Sequence, residues 1–309
     1  MTKVSVVIPT YKRSEFLLRA LQSVLDQTWT DIEAVIVDDN GEGSEYRAAT
    51  QRSLDERYGA DPRVRRVLNK RNMGGALARN EGIKAATGEY ITFLDDDDVF
   101  LPNKVQVQVE AMIENGWEMS FMDCDIHNQD GVPVDRRRHP VDTHPKNEDL
   151  LIRHLVDPLT PTDTYMYRAE ALRRIGMFDD VLTAQEYLLM LKSINAGLKI
   201  GYIKQSLVVQ YIHDGERMSF GKNKVTGELY LLSVKKKYFH LLTGKQRRFI
   251  VCRHHAVLFF ACLKRHEYGS ALRHMLLAGL TSPAIALQIF FDKVRMLKVD
   301  PLNKEKADR

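Results

Sequence analysis

Tyr90-Ile91-Thr92-Phe93-Leu94-Asp95-Asp96-Asp97-Asp98 sets an apolar, β-branched and aromatic run directly against four consecutive carboxylates. The apolar half reads as a fully buried strand. The acidic half falls where that strand should end, and Val99-Phe100-Leu101-Pro102 pins it from the other side. Adjacent carboxylates repel one another, and a hard divalent cation is the usual offset. A solvated acidic turn is the bland alternative. In open α/β sheets ligands gather at the carboxyl ends of strands, and that context favours a metal site here.

Outward from this stretch the chain alternates strands with helices. Val4–Ile8 is a continuous apolar strand closed by Pro9-Thr10-Tyr11. Ser14 reads as an N-cap, and Leu17, Ala20, Leu21, Val24 and Leu25 follow at helical spacing. Ile32–Val37 is a second strand, ending in Asp38-Asp39-Asn40-Gly41, with a polar helix after it from about Ser44 to Tyr58. Val64–Leu68 is a third strand. Asn72-Met73-Gly74-Gly75 opens a helix running to Ala86. Beyond the acidic run the pattern predicts a helix from Pro102, a fifth strand over Trp117–Met122, and a hairpin or loop from Asp123 to about Lys146. A short helix near Asn147–Val156, a strand Thr164–Tyr167, a helix Ala184–Asn195 and one or two strands over Lys199–Ile212 follow. This rhythm argues for an α/β fold around a mostly parallel sheet flanked by helices. The glycines of Gly74-Gly75 are not a dinucleotide fingerprint, because no G-x-G-x-x-G is present.

Composition is that of an ordinary globular protein: 309 residues, 44% hydrophobic and 28% charged, enough for one large domain or two smaller ones. Cys124, Cys252 and Cys262 have no metal-ligand spacing and point to a reducing compartment. Met1-Thr2-Lys3-Val4 enters a strand pattern without signal-peptide architecture, which points to a cytoplasmic protein. No apolar run approaches a membrane span. The net charge of +4 hides an asymmetry: 19 Lys and Arg against 6 Asp and Glu from Arg217 onward, and 26 against 35 before it. We expect a sheet domain over residues 1–220 and a basic, helical region over 221–309 that meets an anionic partner.

Three strand ends carry chemistry. Tyr11 can stack on a planar base, the Asp39 carboxylate can accept from a ring N–H, and the acidic run can hold a metal with a diphosphate. A buried Tyr, an Asx-turn at Asp39 and a solvated acidic turn are the separate structural explanations.

Val4–Tyr11, Gln27-Thr28-Trp29, Val37-Asp38-Asp39, Asn72–Asn80 and Phe93–Asp98, together and in order, resemble the family 2 glycosyltransferases, which have the Rossmann-like GT-A fold. The resemblance covers residues 3–215. It implies that Pro9, Thr10 and Tyr11 cradle a base and that Asp39 reads uracil. Asn72, Gly75 and Arg79 then flank the nucleotide, with a surface Arg79 bridging to Glu81 or Asp97 as the alternative. Asp95 and Asp96 fall on the ribose or metal waters, and Asp97 with Asp95 on Mn²⁺ or Mg²⁺. Asp98 is left a structural role as a helix cap. Gly176-Met177-Phe178-Asp179 matches the turn before the family's general base, which makes Glu186 that base in place of the more usual Asp. His213 matches a histidine near the diphosphate and the metal, with Arg217 on a phosphate. The implied reaction is inverting transfer from a UDP-sugar to a hydroxyl of a glycan or lipid-linked acceptor, in surface or capsular polysaccharide synthesis.

In the basic tail, Lys235-Lys236-Lys237-Tyr238 and Lys245–Phe249 alternate with the apolar runs Val257–Leu263 and Ala284–Phe291. They read as interfacial helices at the inner face of the cell membrane. Packing on the sheet domain or on a second copy of the chain is the alternative. No recognition motif supports nucleic-acid binding. Two competing functions remain: a non-catalytic nucleotide- or partner-binding protein on the same fold, kept in play by the replaced Asp and by Leu188, and a nucleotidyltransferase, disfavoured because Pro9–Arg13 lacks glycines.

Overall fold

The computed structural model describes residues 2–212 and 222–298. The chain divides into two compact units, Met1–Leu151 with Leu159–Ile212, and Ile152–Pro158 with His213–Arg309.

The first unit opens with β1 (Val4–Thr10), α1 (Ser14–Leu25), β2 (Ile32–Asp38), α2 (Glu45–Tyr58), β3 (Val64–Leu68), α3 (Gly75–Ala85) and β4 (Tyr90–Phe93). β5 (Val99–Phe100), α4 (Lys104–Asn115), β6 (Met119–His127) and β7 (Pro133–Arg137) come next, followed by α5 (Asn147–Val156), whose residues from Ile152 onward belong to the second unit. β8 (Met166–Arg168), α6 (Ala169–Arg174), α7 (Gln185–Asn195) and β9 (Ile200–Tyr211) complete the first unit. Among the described residues nine strands form one sheet, in the order β3-β2-β1-β4-β8-β6-β9-β5, with β7 paired to β6.

Why β1 is apolar throughout follows from its position. Val4, Val6 and Ile8 pack with Leu17, Leu21 and Val24 of α1 on one face. Val7 packs with Ala76, Ala78 and Ile83 of α3 on the other. A strand covered on both faces reads as a continuous hydrophobic run. α3 lies so close that a Cβ on Gly82 would come within 2.3 Å of Val7 Cγ1 and 2.9 Å of Val37 Cγ2, so only glycine fits.

β1 is parallel to β2 and β4, and β2 to β3. The register sets Thr10 beside Asp38 and Val7 beside Phe93, so the carboxyl ends of β1, β2 and β4 share one edge. The other half of the sheet corrects the expected elements. β8 runs antiparallel between β4 and β6. It begins at Met166, because Thr162–Thr164 forms a 3₁₀ turn. The expected fifth strand continues to His127 and turns back as β7; its polar second half is a hairpin arm carrying Asp123 and Asp125. Val99-Phe100 is a short strand paired antiparallel with β9, a pairing too short to leave a period in the sequence.

Glu33 shows how a buried charge is tolerated in this sheet. Burial opposes its ionisation, but Ser5 Oγ (2.6 Å), Thr87 N (2.7 Å), Thr87 Oγ1 (2.9 Å) and Lys3 Nζ (3.1 Å) reach its carboxylate. They pull its pKa from 4.5 to about 2. The folded value lies below the unfolded one, so this stabilisation is complete above the unfolded pKa and is lost as pH falls toward about 2. Glu33→Gln is expected to cost about 2 kcal/mol at neutral pH, a difference from wild type that shrinks through the acid range in urea denaturation.

The second unit is helical: α8 (Lys222–Lys236), α9 (Gly244–Lys264), α10 (Tyr268–Thr281) and α11 (Pro283–Lys298). Thr243 and Gln246 form a reciprocal capping box at the start of α9. α10 faces α9 with small residues: Ala271 and Ala278 are buried, and Cys252 Sγ donates to the Ala278 carbonyl at 3.6 Å. Among the described residues, no helix is long and apolar enough to cross a membrane.

Candidate active site

The loop after β1 reaches over the acidic run. Thr10 Oγ1 donates to Asp96 at 2.8 Å. The Arg13 guanidinium pairs with Asp97 and lies 3.5 Å from Asp96. Arg19 donates to the Asp97 carbonyl at 2.5 Å. Tyr11 is 43% exposed, and Lys12 Nζ sits 5.1 Å from its ring and 4.9 Å from that of Tyr46. Burial and the Asp97 charge push the Asp96 pKa up to about 7, against the pull of Thr10 and Arg13.

Asp39 is buried and already engaged. It accepts from Asn69 Nδ2 (2.7 Å), from Met73 N (2.9 Å) and from Gly74 N (2.9 Å). The carboxylate therefore shapes the loop that enters α3, and Asn72 on that loop stands exposed. Asp39→Asn would turn an amide N–H toward backbone donors. We expect the Met73 and Gly74 amides to exchange about tenfold faster, read by hydrogen exchange.

Arg79, on the first turns of α3, is buried rather than a surface residue. It pairs with Asp95 and donates to Gln185 Oε1 at 3.0 Å. Asp163 and Glu186 also lie within its electrostatic reach. Gly75 permits this approach, since a Cβ there would stand 3.0 Å from Arg79 Nη1 and 3.3 Å from Gln185 Oε1. The Arg79–Gln185 bond brings the start of α7 beside the acidic run. Ala184, before α7, adopts φ 61°, a left-handed conformation that costs a non-glycine residue and recurs at functional sites. Glu186 follows in the first helical turn, partly exposed, and accepts no hydrogen bond from a described residue.

Beneath the run lies an element that sequence reasoning missed. Asp163 is fully buried; it accepts from Asp95 N at 3.0 Å and from Gln210 Nε2 at 3.0 Å. Asp98 accepts from Tyr211 N at 2.9 Å and from Gln210 Nε2 at 3.3 Å. Burial raises the pKa of both carboxyls, reinforced at Asp98 by the Asp163 charge and at Asp163 by that of Asp95. Asp98 thus ties the run to β9, whereas a helix cap was expected; α4 has Asn103 at its N-cap. One oxygen each from Asp95, Asp98 and Asp163 lies within 4.8 Å of the others. An all-oxygen set of this kind suits a hard cation such as Mg²⁺ or Mn²⁺. Asp97, expected as the direct ligand, is outside this trio and engaged by Arg13. His213 and Arg217 lie outside the described residues.

The sheet thus gathers acidic and polar strand ends along one edge, where open α/β sheets bind ligands, with a carboxylate-bearing helix start beside them. The chain belongs to glycosyl transferase family 2, whose profile matches residues 5–180. It is 35% identical over 136 residues to TuaG of Bacillus subtilis, provisionally named a teichuronic acid biosynthesis glycosyltransferase, covering 44% of this chain and 52% of that one. It is 29% identical over 129 residues to WfgD of Escherichia coli, named a UDP-Glc:alpha-D-GlcNAc-diphosphoundecaprenol beta-1,3-glucosyltransferase, covering 42% and 48%. The chain spans between a fifth and about half the length of the curated relatives it matches. The fold is similar to Staphylococcus aureus TarS 1–349 in complex with UDP-GlcNAc, with a TM-score of 0.57 at 17% identity, covering 90% of this chain and 91% of that one.

Proposed function

We propose that the protein transfers a sugar from a UDP-sugar to a hydroxyl of a glycan or lipid-linked glycan, with inversion, in the synthesis of a surface polysaccharide. The observation that carries this reading is the Arg79 bridge, which joins the acidic strand end to the helix start bearing Glu186. The family membership, the UDP-GlcNAc held by TarS and the UDP-Glc in the WfgD name support the donor class. With a lipid-linked acceptor of the WfgD kind, the protein would work on the cytoplasmic side, at the inner face of the membrane.

In this reading Tyr11 and the loop held by Asp39 take the base, and Thr10 and Asp96 line the ribose. Pro9, Asn72, Gly75 and Arg79 flank the nucleotide. Asp95 is common to both candidate ligand sets, with Asp97 beside it and the Asp98–Asp163 pair beneath. A bound Mg²⁺ or Mn²⁺ would supply Lewis-acid neutralisation of the leaving diphosphate. Arg13, released from Asp96 and Asp97, has the fork geometry to hold a phosphate. Glu186 takes the proton from the acceptor hydroxyl as it attacks the anomeric carbon.

The test is a screen of UDP-sugars against acceptor extracts for metal-dependent UDP release, with an EDTA arm. Release from one donor, lost with EDTA, is expected. Tight UDP binding with no turnover of any donor would instead favour a non-catalytic nucleotide-binding protein.

A further inference from the structure

From the second unit we infer that the outer face of α10 and α11 inserts into an anionic lipid surface. This names the part of the molecule that would meet the membrane, and it rests on the membrane-side reading above but not on the transfer chemistry. In α10 the arrangement of sizes is inverted from that of an ordinary packed helix. Its small residues Ala271 and Ala278 face α9, while Leu272, Leu276 and Leu280 form an outward stripe at four-residue spacing. Leu276 is 56% exposed and Leu280 83%. α11 adds Leu287, Phe290 and Phe291, all exposed and at helical spacing on that helix. A contiguous row of large apolar side chains of this kind marks an interaction surface.

Charge selects the occupant. From Tyr268 to Phe291 the chain has no acidic residue and a single arginine, Arg273. Lys264, Arg265 and Glu267 precede the span, with Arg265 paired to Glu267, and Asp292 followed by Lys293, Arg295 and Lys298 comes after it in sequence, so both flanks are net positive. Residues 222–298 hold 15 Lys and Arg against 3 Asp and Glu. An apolar face between cationic ends matches the boundary between acyl chains and anionic headgroups. A second copy of the chain would bring the same excess of positive charge against itself, since residues 222–298 carry only Glu228, Glu267 and Asp292 as acids. The apolar run Val257–Leu263 is not the inserting surface, because Leu258 and Cys262 are buried within the unit.

The test is co-sedimentation of the full chain with phosphatidylcholine vesicles containing about a third phosphatidylglycerol, and with phosphatidylcholine alone. Wild type is expected to pellet with the anionic vesicles and more weakly with the neutral ones. The triple variant Leu276→Gln, Leu280→Gln, Phe291→Gln should bind at least about tenfold less, with unchanged helical circular dichroism. All three positions are exposed, so the fold is retained. Wild type left in the supernatant with anionic vesicles, or equal pelleting of the variant, overturns the inference. So does a wild-type dimer, seen by sedimentation velocity, that the triple variant abolishes while vesicles go unbound; that result assigns the face to a second copy. UDP release with a soluble acceptor should be the same in wild type and variant, so a failure here leaves the transfer reading standing.

Discussion

Glu186→Gln is expected to lower kcat about a thousandfold while leaving the donor KM within about twofold. The substitution keeps the shape of the side chain and removes only its capacity to take a proton. Gln185, its neighbour, holds Arg79, so the helix start stays where it is. A structural role would leave the pH dependence of turnover in place, whereas loss of a base removes the limb on which activity rises with pH. Glu186→Asp is informative in the other direction. It supplies the Asp that the resemblance implies at this position but withdraws the carboxylate by about 1.5 Å, and misplacement by about 1 Å can cost roughly a hundredfold. If the backbone around the left-handed Ala184 is set for the longer side chain, the Asp variant should lose about a hundredfold in kcat with unchanged stability. Wild-type kinetics in Glu186→Gln would end its assignment as the base.

Arg79→Ala is the second large effect, and it should appear in stability as well as rate. The guanidinium is buried against Asp95, with Asp163 and Glu186 in reach. Removing Arg79 leaves Asp95, which is 38% exposed and can be rehydrated, so the expected loss is about 1–3 kcal/mol. Chemical denaturation should show it directly. Turnover per folded molecule should also fall about a hundredfold, since both the acidic run and the start of α7 lose their common anchor. Arg79→Lys should recover some stability but little rate, because an ammonium cannot serve Asp95 and Gln185 through one planar fork. An Arg79→Ala protein with wild-type stability would mean that solvent, rather than this side chain, compensates the carboxylates.

The convergence of the three polar strand ends was legible in sequence because they follow strands whose apolar runs announce themselves. Pro9–Tyr11, Asp38-Asp39 and Asp95–Asp98 each follow a buried run, and the parallel register aligns them on one edge. What was not legible depends on long-range contact. Asp163 meets the Asp95 amide across 68 residues, from a short 3₁₀ turn that leaves no periodicity to read. Arg13 stands next to the quoted Thr10-Tyr11 motif, yet its pairing with Asp96 and Asp97 emerges only once β1 and β4 are neighbours. The strand expected over Thr164–Tyr167 is there as β8, but its antiparallel direction escaped for a local reason: three residues are too few to show which way a strand runs.

The pairing of Arg13 with the acidic run has a consequence for the order of events in time. Asp96 and Asp97 already hold a counter-ion tethered by the chain itself, and Asp95 holds another in Arg79. A free divalent ion must compete with cations that never diffuse away, whose effective concentration is set by the fold. In the proposed reaction a metal–diphosphate complex would face a different balance, because its phosphates would offer the Arg13 fork a partner in place of Asp97. The expected itinerary is compulsory co-entry: ion and nucleotide arrive as one body and leave as one. In a thermal melt, Mg²⁺ or UDP added singly should then shift the transition little, and the two together by more than the sum of their separate shifts.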